Sequence, residues 1–205
     1  MVTGIPASGK STMAEYLGRK LCLPVISKDT VKEHLYDTVG FRSREEKVKL
    51  GTAAMNIMYY MAGQLMKCGG AFLLENNFEN VSREGLLTLL EKYDYTAITV
   101  VLSGDYDTTY RRFLGRNSSP LRHRGHVVND HYPEETPGRK VPPLSYKDFV
   151  SGIESRGMDR FAANGPVLRI DTTDFSGINL EQIVEQIRVV CPVVCPVFGG
   201  VYGDI

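Results

Sequence analysis

The segment Gly4-Ile5-Pro6-Ala7-Ser8-Gly9-Lys10-Ser11 constrains the fold of this chain more than any other stretch. Its pattern, G-x-x-x-x-G-K-[ST], asks for a strand before it and a helix after it. Gly4 permits the sharp exit from the strand, and Gly9 lets the backbone come close to a bound phosphate. Successive backbone N–H groups then point inward and meet the positive end of the following helix. Lys10 reaches the β- and γ-phosphates and counts among the catalytic groups, while Ser11 offers a hydroxyl to magnesium. Ile5, Pro6, Ala7, Ser8 and Thr12 complete the set expected to touch the nucleotide. The expected cofactors are therefore ATP and Mg2+. The competing reading is a chance match in a glycine-rich turn. It loses to the context: a short apolar run before Gly4, and an amphipathic helix after Gly9 with Met13, Ala14, Leu17 and Leu21 on one face.

Strand and helix patterns alternate along the rest of the chain. Short apolar runs at 24–27, 71–74, 97–102 and 167–170 read as strands. Between them lie helical stripes. One helix opens at Asp29, with Val31 and Leu35 facing inward. A long one starts at the capping box Ser43-x-x-Glu46, carries Ala54, Met58, Met61, Ala62, Leu65 and Met66, and ends at Gly69-Gly70. Another follows Ser82, one begins at Asp105, one at Ser145-x-x-Asp148, and a last one carries Leu180, Ile183, Val184 and Ile187. Alternation of this kind predicts an α/β fold, a parallel sheet covered on both faces as a three-layer sandwich. The 205 residues fit one domain over 1–190, with a polar, proline-containing insertion or lid at about 111–145 that holds few core residues. The tail 191–205 shows no interpretable pattern beyond a Val-Val-Cys-Pro-Val repeat.

Formal net charge is zero, which argues against a global pull toward nucleic acid or membrane. No apolar stretch is long enough to span a bilayer. The N-terminus enters the phosphate loop at once, with no leader pattern before it, and Cys22, Cys68, Cys191 and Cys195 are scattered. The expected location is the cytoplasm.

Chemistry beyond the loop is sought at the carboxyl edge of the sheet, where open parallel sheets bind ligands. Asp29 comes directly after the second strand. It reads either as a base accepting the proton of an acceptor hydroxyl or as the cap of the helix it opens, and on sequence the two weigh equally. Lys32, one turn on, is a candidate for an anionic group of the acceptor, although a solvated surface lysine is the simpler reading. Glu75 ends the third strand and suits magnesium, in the manner of a Walker B carboxylate, or the acceptor; Asn77 nearby suits the acceptor as well. The run from Arg111 to His126 contains five arginines and no acid. Arg112 and Arg116 share a helix face and are read as catalytic lid arginines that stabilise the transferring phosphoryl group. Arg122 and Arg124 add to them or bind an anionic acceptor. A solvated basic face or a nucleic-acid patch is the competing reading of this run. His123, His126 and His131 match no standard zinc spacing. Asp171-Thr-Thr-Asp174, after the last strand, falls where the base of the nucleotide often lies.

The stretches GIPASGKST, ISKDTVKEHL, FLLENNF and RRFLGR with RHRGH together resemble the small P-loop kinases related to zeta toxins and polynucleotide 5′-hydroxyl kinases. The resemblance extends to about Asp174. It implies a five-stranded parallel sheet of order 2-3-1-4-5 with a helical lid, Asp29 as catalytic base, Arg112 and Arg116 as lid arginines, and Lys32 as the residue that meets the acceptor. Beside such relatives the first strand looks truncated, with only Met1, Val2 and Thr3 before Gly4. The resulting expectation is an ATP-dependent kinase acting on an unidentified hydroxyl of a small or nucleotide-like acceptor. Two alternatives stand beside it, an ATP-driven switch or binding module without an acceptor and a polynucleotide 5′-hydroxyl kinase. Oligomeric state is not legible.

Overall fold

Five parallel strands form one sheet in the order β2-β3-β1-β4-β5, the order the resemblance implied. They are β1 (Val2–Gly4), β2 (Val25–Ser27), β3 (Leu73–Glu75), β4 (Thr99–Ser103) and β5 (Val167–Asp171). The computed structural model describes residues 1–136 and 138–191; the second copy of the Val-Val-Cys-Pro-Val repeat and Cys195 lie outside them. Helices α1 (Lys10–Leu21), α2 (Lys28–Val39), α3 (Arg44–Lys67), α4 (Asn80–Lys92), α5 (Tyr106–Ser118), α6 (Arg124–Val127), α7 (Tyr146–Arg156) and α8 (Leu180–Val190) connect and cover the strands.

Adjacent strand residues point to opposite faces, and this alternation builds the three layers. Leu73 joins Met13, Leu17 and Leu21 of α1 and Ile183, Val184 and Ile187 of α8 on one side. Its neighbour Leu74 joins Met58, Ala62 and Met66 of α3 and Leu86 and Leu90 of α4 on the other. The central strand β1 is three residues long and completely buried, paired with β4 at Val2↔Val100, Thr3↔Val101 and Gly4↔Leu102. Gly4 has no room for a side chain. An added Cβ would stand 1.9 Å from the Leu102 carbonyl oxygen, and the backbone has φ +138°.

Local signals set most element ends. Ser43 caps α3 by accepting the Glu46 N–H at 3.1 Å, while the Glu46 carboxylate accepts from the Arg42 N–H rather than from Ser43. Ser43→Ala is expected to cost about 1 kcal/mol of stability; a urea midpoint equal to the parent's would remove the cap from the account. Two expectations shift. Met61 is 41% exposed, because the buried stripe of α3 runs through Ala54, Met58, Ala62 and Met66, every fourth residue, and Met61 falls beside it. Helix α4 starts two residues before Ser82. The Ser82 hydroxyl accepts the Glu79 N–H at 2.9 Å from inside the first turn.

Among the described residues of the expected insertion, Val128 is the one fully buried apolar side chain, and a few named contacts anchor the segment to α2 and α3. Val128 packs with Tyr36 of α2 and Phe41 into a small core of its own, joined by Tyr132. An isolated bridge pairs Phe41 with Tyr132. The Lys47 ammonium of α3 donates to the carbonyls of His126 and Val128 and to the Asn129 side chain. Burial, then the nearby Lys32, Arg44 and Arg122, push the Lys47 pKa down to about 7. Single anchoring residues at irregular spacing make these contacts, so no periodicity announces them.

Candidate active site

Strand β1 delivers the chain to Gly4, and the loop through Gly9 wraps back to the start of α1. Ala7 and Gly9 take positive φ, 61° and 85°, which turns successive N–H groups the same way. Ser8 folds inward, its hydroxyl donating to the Ile5 carbonyl at 2.8 Å. Lys10 is 7% exposed, and its ammonium donates to the same carbonyl at 2.7 Å. Burial is the main reason its pKa falls to about 8; Glu75 and Asp29 raise it, Arg116 and Arg122 lower it. A buried cation poised among partners of both signs is suited to meeting phosphates. Ser11 and Thr12, the next two residues of α1, are exposed at the loop's mouth, and Pro6 is half-buried.

Glu75 ends β3 at 4% exposure beside this lysine. The Ser27 hydroxyl donates to its carboxylate at 2.5 Å. Burial raises the Glu75 pKa, opposed by Ser27, Lys10 and the Ser11 hydroxyl. Ser11 and Glu75 thus stand together as a hydroxyl and a carboxylate, hard oxygen donors of the type magnesium takes. The buried Asn76 amide nitrogen has no protein partner, and Asn77 is half-buried on the turn that follows.

Ser27 also takes the capping role away from Asp29. The cap of α2 is Ser27, which accepts from the Thr30 N–H, so Asp29 lies inside the first turn with its carboxylate not needed for capping. Burial would raise the Asp29 pKa, yet His126, then Lys32, Arg122 and Lys10, hold it below the usual carboxylate value. Lys32 is half-buried rather than a solvated lysine; burial lowers its pKa and Asp29 opposes this. Tyr36 follows one turn on, completely buried, with Lys32 5.6 Å above its ring.

The arginines divide into two groups. Arg116 and Arg122 come to the Lys10–Glu75–Asp29 cluster, and both carry a buried Nε with no protein partner. Burial, then Arg122, pushes the Arg116 pKa down to about 10. Arg112 and Arg124 are held elsewhere. The Arg112 guanidinium donates to the carbonyls of Thr172 and Thr173 and lies 4.0 Å over the Phe175 ring. Arg124 grips Glu134 through two hydrogen bonds of 2.6 and 2.7 Å and adds the Arg139 carbonyl at 3.0 Å. Its neighbour Gly125 lies so close to α2 that a Cβ there would stand 2.4 Å from the Tyr36 ring. The three histidines of the lid segment each meet a carboxylate: His126 with Glu33 at 2.8 Å, His123 with Asp37 at 3.0 Å, and His131 with Asp130 at 3.3 Å. Burial, then Arg122 and Lys32, lowers the His126 pKa against the pull of Asp29.

Three participants escape the sequence reading. Ser27, a serine directly before a helix, could have been found as a cap. Glu33 sits four residues after Asp29 on the same helix face, a spacing that was available. Phe175 had no signal of its own. Its ring lies where a Cβ on Gly9 would approach to 3.0 Å, so the loop after β5 reaches the phosphate loop.

Known structures share this fold. A structure described as a putative kinase from Chloroflexus aurantiacus matches with a TM-score of 0.75 and 29% identity, covering 92% of this chain and 95% of that one. A sugar kinase from a Janibacter species matches at 0.54 and 12% identity over 95% and 96% of the two chains. An APS kinase from Mycobacterium tuberculosis, solved with AMPPNP and APS, matches at 0.54 and 15% over 93% and 95%. The last two likenesses establish the fold. A search of curated proteins finds no significant match. The sequence profile of the AAA domain family matches residues 1–132, a span that takes in the phosphate loop, Asp29, Glu75 and the arginines, and this chain belongs to that family of P-loop proteins.

Proposed function

We propose that this protein is an ATP-dependent kinase that transfers the γ-phosphoryl group to a hydroxyl of a small acceptor. The observation that carries the reading is Asp29: a carboxylate free of capping duty, with His126, Lys32, Arg122 and Lys10 around it, at the edge of the sheet where the phosphate loop ends. In this reading the loop N–H groups and Lys10 hold the β- and γ-phosphates. Ser11 and Glu75 would hold the magnesium that accompanies ATP, which neutralises charge on those phosphates. Asp29 takes the acceptor's hydroxyl proton as the oxygen attacks phosphorus in line. Arg116 and Arg122, each with an unmatched donor, bind the equatorial oxygens as charge spreads over them. Lys32 and Asn77 face the acceptor. Arg112, stacked on Phe175, lies on the nucleoside side, and Arg124 shapes the lid by holding Glu134.

The sequence, fold and neighbouring kinases agree with this reading, and the acceptor is its open part. The test is ADP release with ATP and magnesium, measured against nucleosides, sugars, nucleotide sugars, aminoglycosides and 5′-hydroxyl oligonucleotides. One class is expected to raise ADP release at least about tenfold over the acceptor-free rate. A rate that stays at the acceptor-free level with every class would defeat the kinase reading and favour an ATP-driven switch.

A further inference from the structure

A second concavity lies away from the phosphate loop, between the start of α3 and the segment after α6. It has a volume of about 540 Å³ and is lined by Arg42, Arg44, Arg139, Lys140, Asn129 and Asp130 among others. Four cations face one carboxylate. Arg139 is already paired with Asp130 and lies near Glu134. Among the described residues, no carboxylate comes within ion-pair distance of the side chains of Arg42, Arg44 or Lys140. The wall thus holds three uncompensated positive charges around a space large enough for a small molecule. Arg44 donates to Asn129 at 3.3 Å, and Lys47 donates to the same side chain at 3.0 Å, which fixes this wall to the lid.

The cavity also has a defined relation to Asp29. Gly51, on α3, leaves a Cβ position 3.8 Å from the Cε of Lys32. Arg44 is seven residues earlier, about 10 Å along the helix axis. Arg44 is also near enough to Lys32 to oppose its protonation. Arg44 thus lines the cavity and also neighbours Lys32, which stands one helical turn after Asp29 on α2.

We infer that the acceptor is an anion, a hydroxylated small molecule whose phosphate monoester or carboxylate is held in the cavity between α3 and the lid by Arg42, Arg44 and Lys140. This rests on the kinase reading for the hydroxyl at Asp29, while the anion site stands on its own residues. Arginine suits planar or tetrahedral oxyanions because it can donate two parallel hydrogen bonds.

Two measurements separate the claims. With ADP and magnesium saturating the phosphate loop, inorganic phosphate and acetate are titrated into the parent, into Arg42→Ala/Lys140→Ala, and into the exposed control Arg19→Ala/Lys67→Ala. Phosphate, acetate or both are expected to bind the parent and the control alike and the first double variant at least about tenfold more weakly. Equal affinity in all three overturns the anion site. The second measurement is ADP release with matched pairs: a sugar and its phosphate monoester, a hydroxy acid and its amide. The charged member of a pair is expected to be preferred, and its KM to rise about tenfold in Arg42→Ala/Lys140→Ala. Preference for the phosphate or for the carboxylate distinguishes the two sources of charge. Preference for the uncharged member overturns the inference and leaves the kinase standing. Stimulation by a 5′-hydroxyl oligonucleotide alone replaces the small acceptor with a nucleic-acid end and overturns the inference as well. Intact phosphate binding without stimulation by any acceptor defeats the kinase reading and spares the anion site.

Discussion

Asp29→Asn is expected to slow phosphoryl transfer by about 10² to 10⁴, the range a positioned general base supplies. Asparagine keeps the size of the side chain and one acceptor oxygen, and it removes the charge and the ability to take a proton. The parent carboxylate is held below the usual carboxylate value because His126 and the three cations Lys32, Arg122 and Lys10 together outweigh its burial. Without it those three cations lose a shared counter-charge, and Lys10 keeps only Glu75 among the anions near it. Nucleotide affinity is expected to change by less than about fivefold, because phosphate binding rests mainly on the loop N–H groups and Lys10. Single-turnover transfer and ADP titration, run on the same preparation, separate the two effects. Transfer within about threefold of the parent would remove Asp29 from the chemistry. The helix itself should hold, since its cap is Ser27.

Gly4→Ala is expected to cost upward of about 4 kcal/mol of folding stability, far beyond the usual effect of one methyl group. Relief is blocked on every side. The new Cβ would meet the Leu102 carbonyl oxygen at 1.9 Å and its carbon at 2.7 Å, all backbone. Those atoms belong to β4, which is registered against β1 over three residues and against β5 over five. A shift at Leu102 therefore disturbs two strand pairs, and φ +138° is strained for an alanine besides. The urea midpoint with a two-state fit measures it; a loss below about 1 kcal/mol would mean that the sheet can yield. Gly9→Ala offers the contrast. Its nearest obstacle is the edge of the Phe175 ring at 3.0 Å, a side chain that can move. It should fold better than Gly4→Ala and bind nucleotide worse.

The donor half of the site was legible because a phosphate loop is contiguous. Residues 4–12 state strand, turn and helix in one stretch, its N–H groups act through backbone geometry that the glycines make possible, and Lys10 and Ser11 add their side chains at fixed positions after them. Strand ends were legible for a related reason. A parallel sheet presents all its carboxyl ends along one edge, so Asp29 and Glu75 could be assigned to the site from strand position alone. The arginines were harder. Arg112 and Arg116 share a face of α5 by spacing, yet a side chain of that length is aimed by what it finds. Arg112 finds the Thr172 and Thr173 carbonyls and Phe175; Arg116 finds the cluster around Lys10. Arg124 is claimed by Glu134, ten residues away along a stretch without periodicity. Partners brought together by tertiary contact leave no mark in the local pattern, which is why Phe175 and the α3–lid cavity were not foreseen.

Helix α2 carries Asp29 near its start and the lid's docking groups further along. Glu33 holds His126, Tyr36 lies under Gly125, and Asp37 meets His123 and Tyr132. From Asp29 to Asp37 is about 12 Å of one continuous helix, a length over which a helix behaves as a rod. The two ends are therefore not kinetically independent. A lid substitution that tilts α2 tilts the carboxylate with it. Mutations around residues 123–132 should then appear in kcat as well as in KM, although none of those side chains need touch the phosphorus.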